Sequence, residues 1–389
     1  MEIKDDFDLD KIARSGQCFR VKKFADAPNN FTYRFITRGN VLYIRQLGAN
    51  RSFAGAGKCA GTGDCAGAEK CVGTGESTCA EERTGANEKA SANAGGVNKT
   101  HNTATTHEYD VSCSRTDWQK VWVPYFDLTR NYADVRAQIP ESDNFMRKAA
   151  DAGLGIRILR QDAWEMLITF IISQRKSIPA IQKSVEMICE RFGSAGGAGS
   201  HTRIFDERTF SGASIAIDAE QMFGDSGGTE ELIAGAGKAC AHNEGERTAR
   251  GKRACAHEKQ LHLFPTPEQM FGTSLEDLQA CKLGYRAPYV QDAVRAVCSG
   301  ELDLHALESA NDVDLVEQLK TVRGVGDKVA NCVALFAYGR VGLAPVDTWI
   351  QKIIDAQYGG ENPFTAYGDV AGIMQQYAFF WAQENKGEF

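Results

Sequence analysis

Two residues of this chain carry the means for covalent chemistry. Lys328 stands in Leu319-Lys-Thr-Val-Arg-Gly-Val-Gly-Asp-Lys-Val-Ala-Asn-Cys, and Asp347 in Pro345-Val-Asp-Thr-Trp. A lysine amine acts as a Schiff-base nucleophile only when it is unprotonated. The apolar spacing predicts a helix ending near Lys320, a tight turn over Gly324 and Gly326, and a second helix from Asp327. Lys328 then falls in a first helical turn, where the helix dipole disfavours a cation and so favours the free amine. Asp347 follows Pro345-Val346 and precedes another helical run, the position of an N-cap. A carboxylate near Lys328 would also assist deprotonation and stabilise positive charge developing on a sugar. Singly, each residue has a plainer reading: a surface lysine, and an aspartate that only caps its helix.

The turn itself is the second signal. Gly324, Val325 and Gly326 join two helices as a helix–hairpin–helix over about 312–338. The glycines permit a tight turn and bring backbone N–H groups to an exposed rim. A helix N-terminus there favours an anion such as a DNA phosphate. An ordinary tight turn between packed helices remains the alternative.

These segments need a scaffold, and the rest of the sequence predicts one. The 389 residues are 43% hydrophobic, enough for a substantial core. The mean hydropathy of −0.35 and the lack of roughly 18 uninterrupted apolar residues exclude a membrane-spanning helix. Phe31-Thr-Tyr-Arg-Phe, a turn at Gly39-Asn40 and Val41-Leu-Tyr-Ile-Arg read as a β-hairpin. Beyond Val111 the periodicity is helical: a buried helix capped by Asp162, then 178–192, 287–297, 313–319, 328–338 and 348–358. The expected fold is α+β and mostly α. An N-terminal antiparallel β domain spans 1–125, and helical domains span 126–389.

Two segments interrupt this pattern. From Ala54 to Thr106 there is no Leu, Ile, Met, Phe, Tyr or Trp, so an insert over about 51–109 is expected to be disordered. A second, Gly/Ala-rich insert covers about 193–258 and repeats Ala-Cys-Ala-His at 239–242 and 254–257. Its Ile204, Phe205, Phe210, Met222 and Phe223 suit a small transient helix. Six of the twelve cysteines lie in these inserts, at spacings that match no common zinc motif. The other cysteines are scattered singly and read as small buried hydrophobes. No metal and no cofactor are expected. The net charge of −7 weighs against a nucleic-acid partner, although a local basic or amide-rich face binds DNA on an acidic protein.

Taken with Ser15-Gly-Gln-Cys-Phe-Arg, Tyr125-Phe-Asp-Leu, Ile158-Leu-Arg-Gln-Asp, Phe264-Pro-Thr-Pro and Leu283-Gly-Tyr-Arg-Ala, the Lys328/Asp347 segment resembles the 8-oxoguanine DNA glycosylases of the helix–hairpin–helix superfamily. The resemblance covers nearly everything except the two inserts. It implies that Lys328 attacks the sugar C1′ of an oxidised guanosine, expels the base and forms an imine, and that β-elimination then nicks the strand. It implies Asp347 as the catalytic carboxylate. Four positions match the grip on the flipped base: Cys332 and Phe379 on its two faces, Gln375 on its Watson–Crick edge, and the carbonyl of Gly16 at N7. Arg175 stands where eukaryotic relatives have an asparagine that contacts the orphaned cytosine, and Trp349 where some carry a histidine. The lack of a following four-cysteine cluster argues against an iron–sulfur centre.

The expected partner is damaged double-stranded DNA, bound by a monomer with no membrane association. With a charged N-terminus and no apolar leader, the expected location is the cytoplasm, on a bacterial nucleoid. Two other classes stay open: a glycosylase of the same fold acting on an alkylated base, and a non-enzymatic DNA-binding module using only the hairpin.

Overall fold

The computed structural model describes residues 1–3, 5–27, 30–47, 107–196 and 260–386. The disorder expected of the two inserts, the insert cysteines and the transient helix around Ile204–Phe223 lie outside the described residues.

Five strands form one antiparallel sheet in the order β1-β5-β4-β3-β2: β1 Glu2–Ile3, β2 Lys22–Ala27, β3 Asn30–Thr37, β4 Asn40–Gln46 and β5 His107–Val111. The β3–β4 hairpin is tighter by one register than the sequence predicts. Thr37 pairs with Asn40, so the turn is Arg38-Gly39, not Gly39-Asn40. Both turn residues have positive φ (47° and 76°), the backbone that matches the right-handed twist of paired strands. Residues 107–109 also depart from expectation. They belong to β5 and not to the insert, because Tyr109 pairs with Gln46 and Glu108 with Glu2. Tyr109 is the buried anchor that decides it, its hydroxyl donating to Phe7 O.

The helices that matter for function are α1 Leu9–Arg14, α2 Asn144–Ala152, α3 Ala163–Ser173, α4 Ile178–Phe192, α5 Ala287–Ser299, α6 Asp312–Lys320, α7 Asp327–Tyr338, α8 Thr348–Tyr358 and α9 Ala371–Glu384. Each begins for a local reason. Asp162 caps α3 by accepting from Glu165 N at 2.8 Å, and Asn311 caps α6 by accepting from Asp314 N at 2.9 Å. Helix α3 is apolar almost all round and is buried accordingly, from Trp164 to Ile172. At their ends α5, α7 and α8 stop at Gly300, Gly339 and Gly359, all left-handed. The architecture is α+β and mostly α.

Two hydrophobic clusters hold it together. The smaller packs the sheet on the 118–126 helical turns through Phe7, Phe35, Tyr109, Trp118, Trp122, Tyr125 and Phe126. The larger joins α2 to α9. Among the described residues no helix is long and apolar enough to cross a membrane.

The described residues flanking 48–106 and 197–259 are paired with each other. Gln46 and Tyr109, on either side of the first, are cross-strand partners. At the second, Gly196 N donates to Leu261 O at 2.6 Å and Leu263 N to Ser194 O at 2.8 Å. Residues 193–196, expected to start that insert, are therefore tied to 261–263, including an Ala195–His262 bridge.

Phe126 is fully buried and meets Phe7, Phe35 and Tyr125 edge-on at 5.2, 5.1 and 4.9 Å between ring centroids. Phe126→Ala should cost about 3–5 kcal/mol of stability. Urea unfolding reads this directly, as a midpoint shift at unchanged slope.

Candidate active site

Lys328 enters the site from a helix that has no side-chain cap. The residue before α7 is Gly326, whose missing side chain leaves the first turn's N–H groups open. Gly324 is required twice over. Its φ is +87°, and a methyl group there would come within 2.5 Å of the Tyr289 ring. Val325 does not fit its expected role. Its side chain is buried and its N–H donates to Val322 O at 3.0 Å. The hairpin turns Val325 inward to close the turn, which leaves the glycines and the α7 N-terminus as the outward face.

The Lys328 amine lies 5.2 Å above the Phe170 ring of α3, and Cys332 follows one turn along α7. Burial pushes the Cys332 thiol above its ordinary range. The nearby Lys328 ammonium opposes this and the Asp347 carboxylate reinforces it. The thiol is therefore a neutral group. Lys328 and Asp347 thus both act electrostatically on Cys332.

Asp347 caps α8 with one oxygen only. Its Oδ1 accepts from Trp349 N and Ile350 N, each at 2.9 Å. Among the described residues its Oδ2 takes no hydrogen bond. Capping thus occupies one carboxylate oxygen and leaves the other open among the described residues. Trp349, beside it, is half-buried, with the Lys352 amine 5.7 Å above its ring.

Gly16, Phe379 and Gln375 form a second group. Gly16 has φ +77°, and a methyl group there would lie 2.9 Å from the Phe379 ring and 3.4 Å from Gln383 Nε2. Gln375 is 4% exposed, and its Oε1 has no hydrogen-bond partner. Gln383 Oε1 is likewise buried and unpartnered. Gln375, Phe379 and Gln383 are spaced at i, i+4 and i+8 and share one stripe of α9. An orphaned buried amide costs about 1–3 kcal/mol.

Buried polar bonds tie the two groups together. Gln17 donates to Ser15 Oγ and Arg157 O at 2.8 and 2.9 Å and accepts from Leu159 N at 2.8 Å. Gln161 donates through Nε2 to Gln17 O and through its backbone N–H to Phe336 O of α7, both at 2.7 Å. Gln376 of α9 donates to Ser15 O at 2.7 Å. Phe170 bridges the same gap, with its ring edge-on to Phe19 at 6.0 Å while it underlies Lys328. Helix α9 also starts directly on α7: a methyl on Gly372 would be 2.8 Å from Leu335. Gln17, Gln161, Gln376 and Phe170 were not singled out by sequence reasoning, since their partners lie far along the chain.

The rim is built by the 173–177 loop. Gln174 O accepts from Arg286 Nε at 2.8 Å and also from Arg286 Nη2, and Gln174 Nε2 donates to Gly324 O at 2.9 Å. Arg175 therefore stands exposed at a strained φ of +52° next to the hairpin. Tyr285 is 51% exposed and lies under the Arg286 guanidinium at 4.2 Å. A large exposed aromatic on such a rim suits insertion between bases, and sequence reasoning missed it. Among the described residues no His/Cys/Asp/Glu group is arranged to hold a metal ion.

Two substitutions test this architecture. Gly16→Ala should cost about 1–2 kcal/mol through its positive φ and displace Phe379. Gln17→Leu, which orphans buried partners, should cost at least about 1–3 kcal/mol. Thermal unfolding of both should fall well below that of an exposed control such as Lys120→Gln.

Residues 2–167 match the family model of the 8-oxoguanine DNA glycosylase N-terminal domain. A probable N-glycosylase/DNA lyase of Methanothermobacter thermautotrophicus is 31% identical over 153 residues, 32% of this chain and 49% of that protein. The N-glycosylase/DNA lyase of Saccharomyces cerevisiae is 24% identical over 215 residues, 52% of this chain and 42% of that protein. The chain thus spans about half the length of the curated relatives it matches. Among solved structures, the Clostridium acetobutylicum 8-oxoguanine glycosylase/lyase in complex with DNA containing cytosine opposite 8-oxoG has a TM-score of 0.62. It is 24% identical, with 99% of this chain and 98% of that chain covered. A 3-methyladenine DNA glycosylase from Archaeoglobus fulgidus has a TM-score of 0.54 at 13% identity, covering 98% and 97%. These likenesses show the fold. The domain match adds that residues 2–167 are similar to the N-terminal domain of 8-oxoguanine DNA glycosylases.

Proposed function

We propose that the chain is a bifunctional DNA glycosylase and lyase that removes 8-oxoguanine from duplex DNA. The observation that carries this reading is the linkage of two local groups through Gln17, Gln161 and Gln376: Lys328 with Cys332 and the capping Asp347, and Gly16 against Phe379 with the unpartnered Gln375. The flipped base stacks between the Cys332 thiol and the Phe379 ring. Gln375 Oε1 accepts from the N1–H and exocyclic amine of a guanine edge. The Gly16 carbonyl accepts from the N7 proton that oxidation adds, whereas the N7 lone pair of intact guanine would repel it.

In the reaction the Lys328 amine bonds to C1′ as the C1′–N9 bond breaks, and the bonding pair leaves with the base, which takes up a proton. Asp347 Oδ2 stabilises the cationic character that builds on the sugar and receives the proton that Lys328 gives up. Opening of the sugar yields the Schiff base, and loss of a proton from C2′ with cleavage of the C3′–O bond nicks the strand. At the rim Gly324, Gly326 and the α7 N-terminus hold a backbone phosphate, Tyr285 fills the space the base leaves, and Arg175 donates to acceptors of the orphaned cytosine. We place the enzyme, as a monomer, on nucleoid DNA in a bacterial cytoplasm.

Borohydride should trap the protein covalently on an 8-oxoguanine–cytosine duplex, and Lys328→Gln should abolish both adduct and base release. Base release that survives Lys328→Gln would instead assign a monofunctional glycosylase. Asp347→Asn should slow base release by about 10²–10⁴-fold. Arg175→Ala should slow excision opposite cytosine by roughly 10- to 100-fold, with little change opposite adenine; single-turnover rates on the two duplexes measure the ratio.

A further inference from the structure

A concentration of cations lies beside the hairpin rim, at the junction of α4 with the segment leading into α5. The Lys176 amine folds back over α4, donating to Ser184 Oγ at 2.6 Å and to Lys282 O at 2.7 Å. Lys282 and Lys183 are exposed, and Lys176 joins their two segments by bonding Lys282 O and the Ser184 hydroxyl next to Lys183. Each can only donate, so the two have nothing to give one another. The Lys183 charge pulls Lys282 below its ordinary range. Burial does the same to Lys176, helped by the charges of Arg286 and Lys282.

No carboxylate relieves this crowding among the described residues. Of the acidic side chains close in sequence, Glu186 pairs with Arg20 and Asp277 with Arg191, and Asp292 beyond them pairs with Arg295 and Arg323. Lys282 also has φ +62°, a conformation lysine rarely adopts, like Arg175 at +52° across the Gln174–Arg286 joint. Strained backbone at a cluster of like charges is characteristic of a ligand clamp.

We propose that Lys176, Lys183 and Lys282 form a clamp for a backbone phosphate of the DNA strand that runs past the hairpin. A phosphodiester carries one negative charge and two non-bridging oxygens, so it can accept from two facing ammonium groups at once. The Gln174 amide joins this patch to Gly324, placing the clamp on the face that carries the hairpin and Tyr285. On a chain with a net charge of −7, such a patch supplies the local attraction that the whole molecule does not. The inference rests on the DNA-repair reading, yet it needs only binding and no chemistry.

Binding to an undamaged duplex over a range of salt concentrations tests it. For Lys183→Gln/Lys282→Gln the slope of log K against log salt should shrink by about 1–2, with affinity roughly 5- to 30-fold weaker at physiological salt. The controls Lys120→Gln and Lys148→Gln, which change exposed lysines elsewhere, should leave the slope unaltered. An unchanged slope in the double variant, an equal loss in the controls, or no salt-sensitive binding by the native chain would overturn the clamp. Inorganic phosphate provides a second probe. Tight binding that is lost in the double variant while the DNA slope stays intact would reassign the cluster to a free anion and overturn the backbone assignment. Base release by the native chain, assayed separately, decides the glycosylase reading. A clamp without release, or release without a clamp, is therefore distinguishable.

Discussion

The pocket depends on the buried amide of Gln17. Its side chain satisfies three groups and its carbonyl a fourth, all away from water. In such surroundings a broken bond is not replaced by solvent, so the set is nearly all-or-none. That rigidity holds Gly16 at a φ of +77° against the Phe379 ring. The Gly16 carbonyl is thereby held in direction as well as in place. The glutamine supplies that constraint from one residue away.

Around the amine the surroundings are mostly uncharged. Lys328 rests on an aromatic face and beside a thiol that burial keeps protonated. The carboxylate oxygen of Asp347 left over from capping is the nearby anion that the geometry provides. The helix cap thus fixes the direction of the acid as well as the start of the helix. The same economy recurs at the rim, where one glutamine, Gln174, binds both the hairpin carbonyl and the Arg286 guanidinium.

What the sequence discloses follows the range of the interactions. Helices 178–192 and 348–358 are legible to the residue, because periodicity and caps are local. Asp162 and Asp347 are legible as caps for the same reason. The turn at Arg38-Gly39 is displaced by one because Gly39 and Asn40 both suit a turn, and only the pairing of Thr37 with Asn40 decides between them. Strand β5 is hidden by the polar run before it and is defined by partners near residues 2 and 46. Of the residues named by family resemblance, Gly16 packs at Phe379, and the glutamines that hold this loop do not show in any motif spacing. Val325 is misread because hairpin position alone does not tell an outward amide from one that closes the turn.

The bond from Gln376 to the carbonyl of Ser15 spans 361 positions. It means that the N-terminal edge of the pocket cannot settle until the last helix has been made. During synthesis the β-sheet and its aromatic cluster can form early, but the glycine loop waits for α9 to leave the ribosome. Contacts of such separation slow the final step of folding. A chain interrupted before residue 376 would therefore be an assembled scaffold whose Ser15–Gly16 backbone lacks the bond that fixes it.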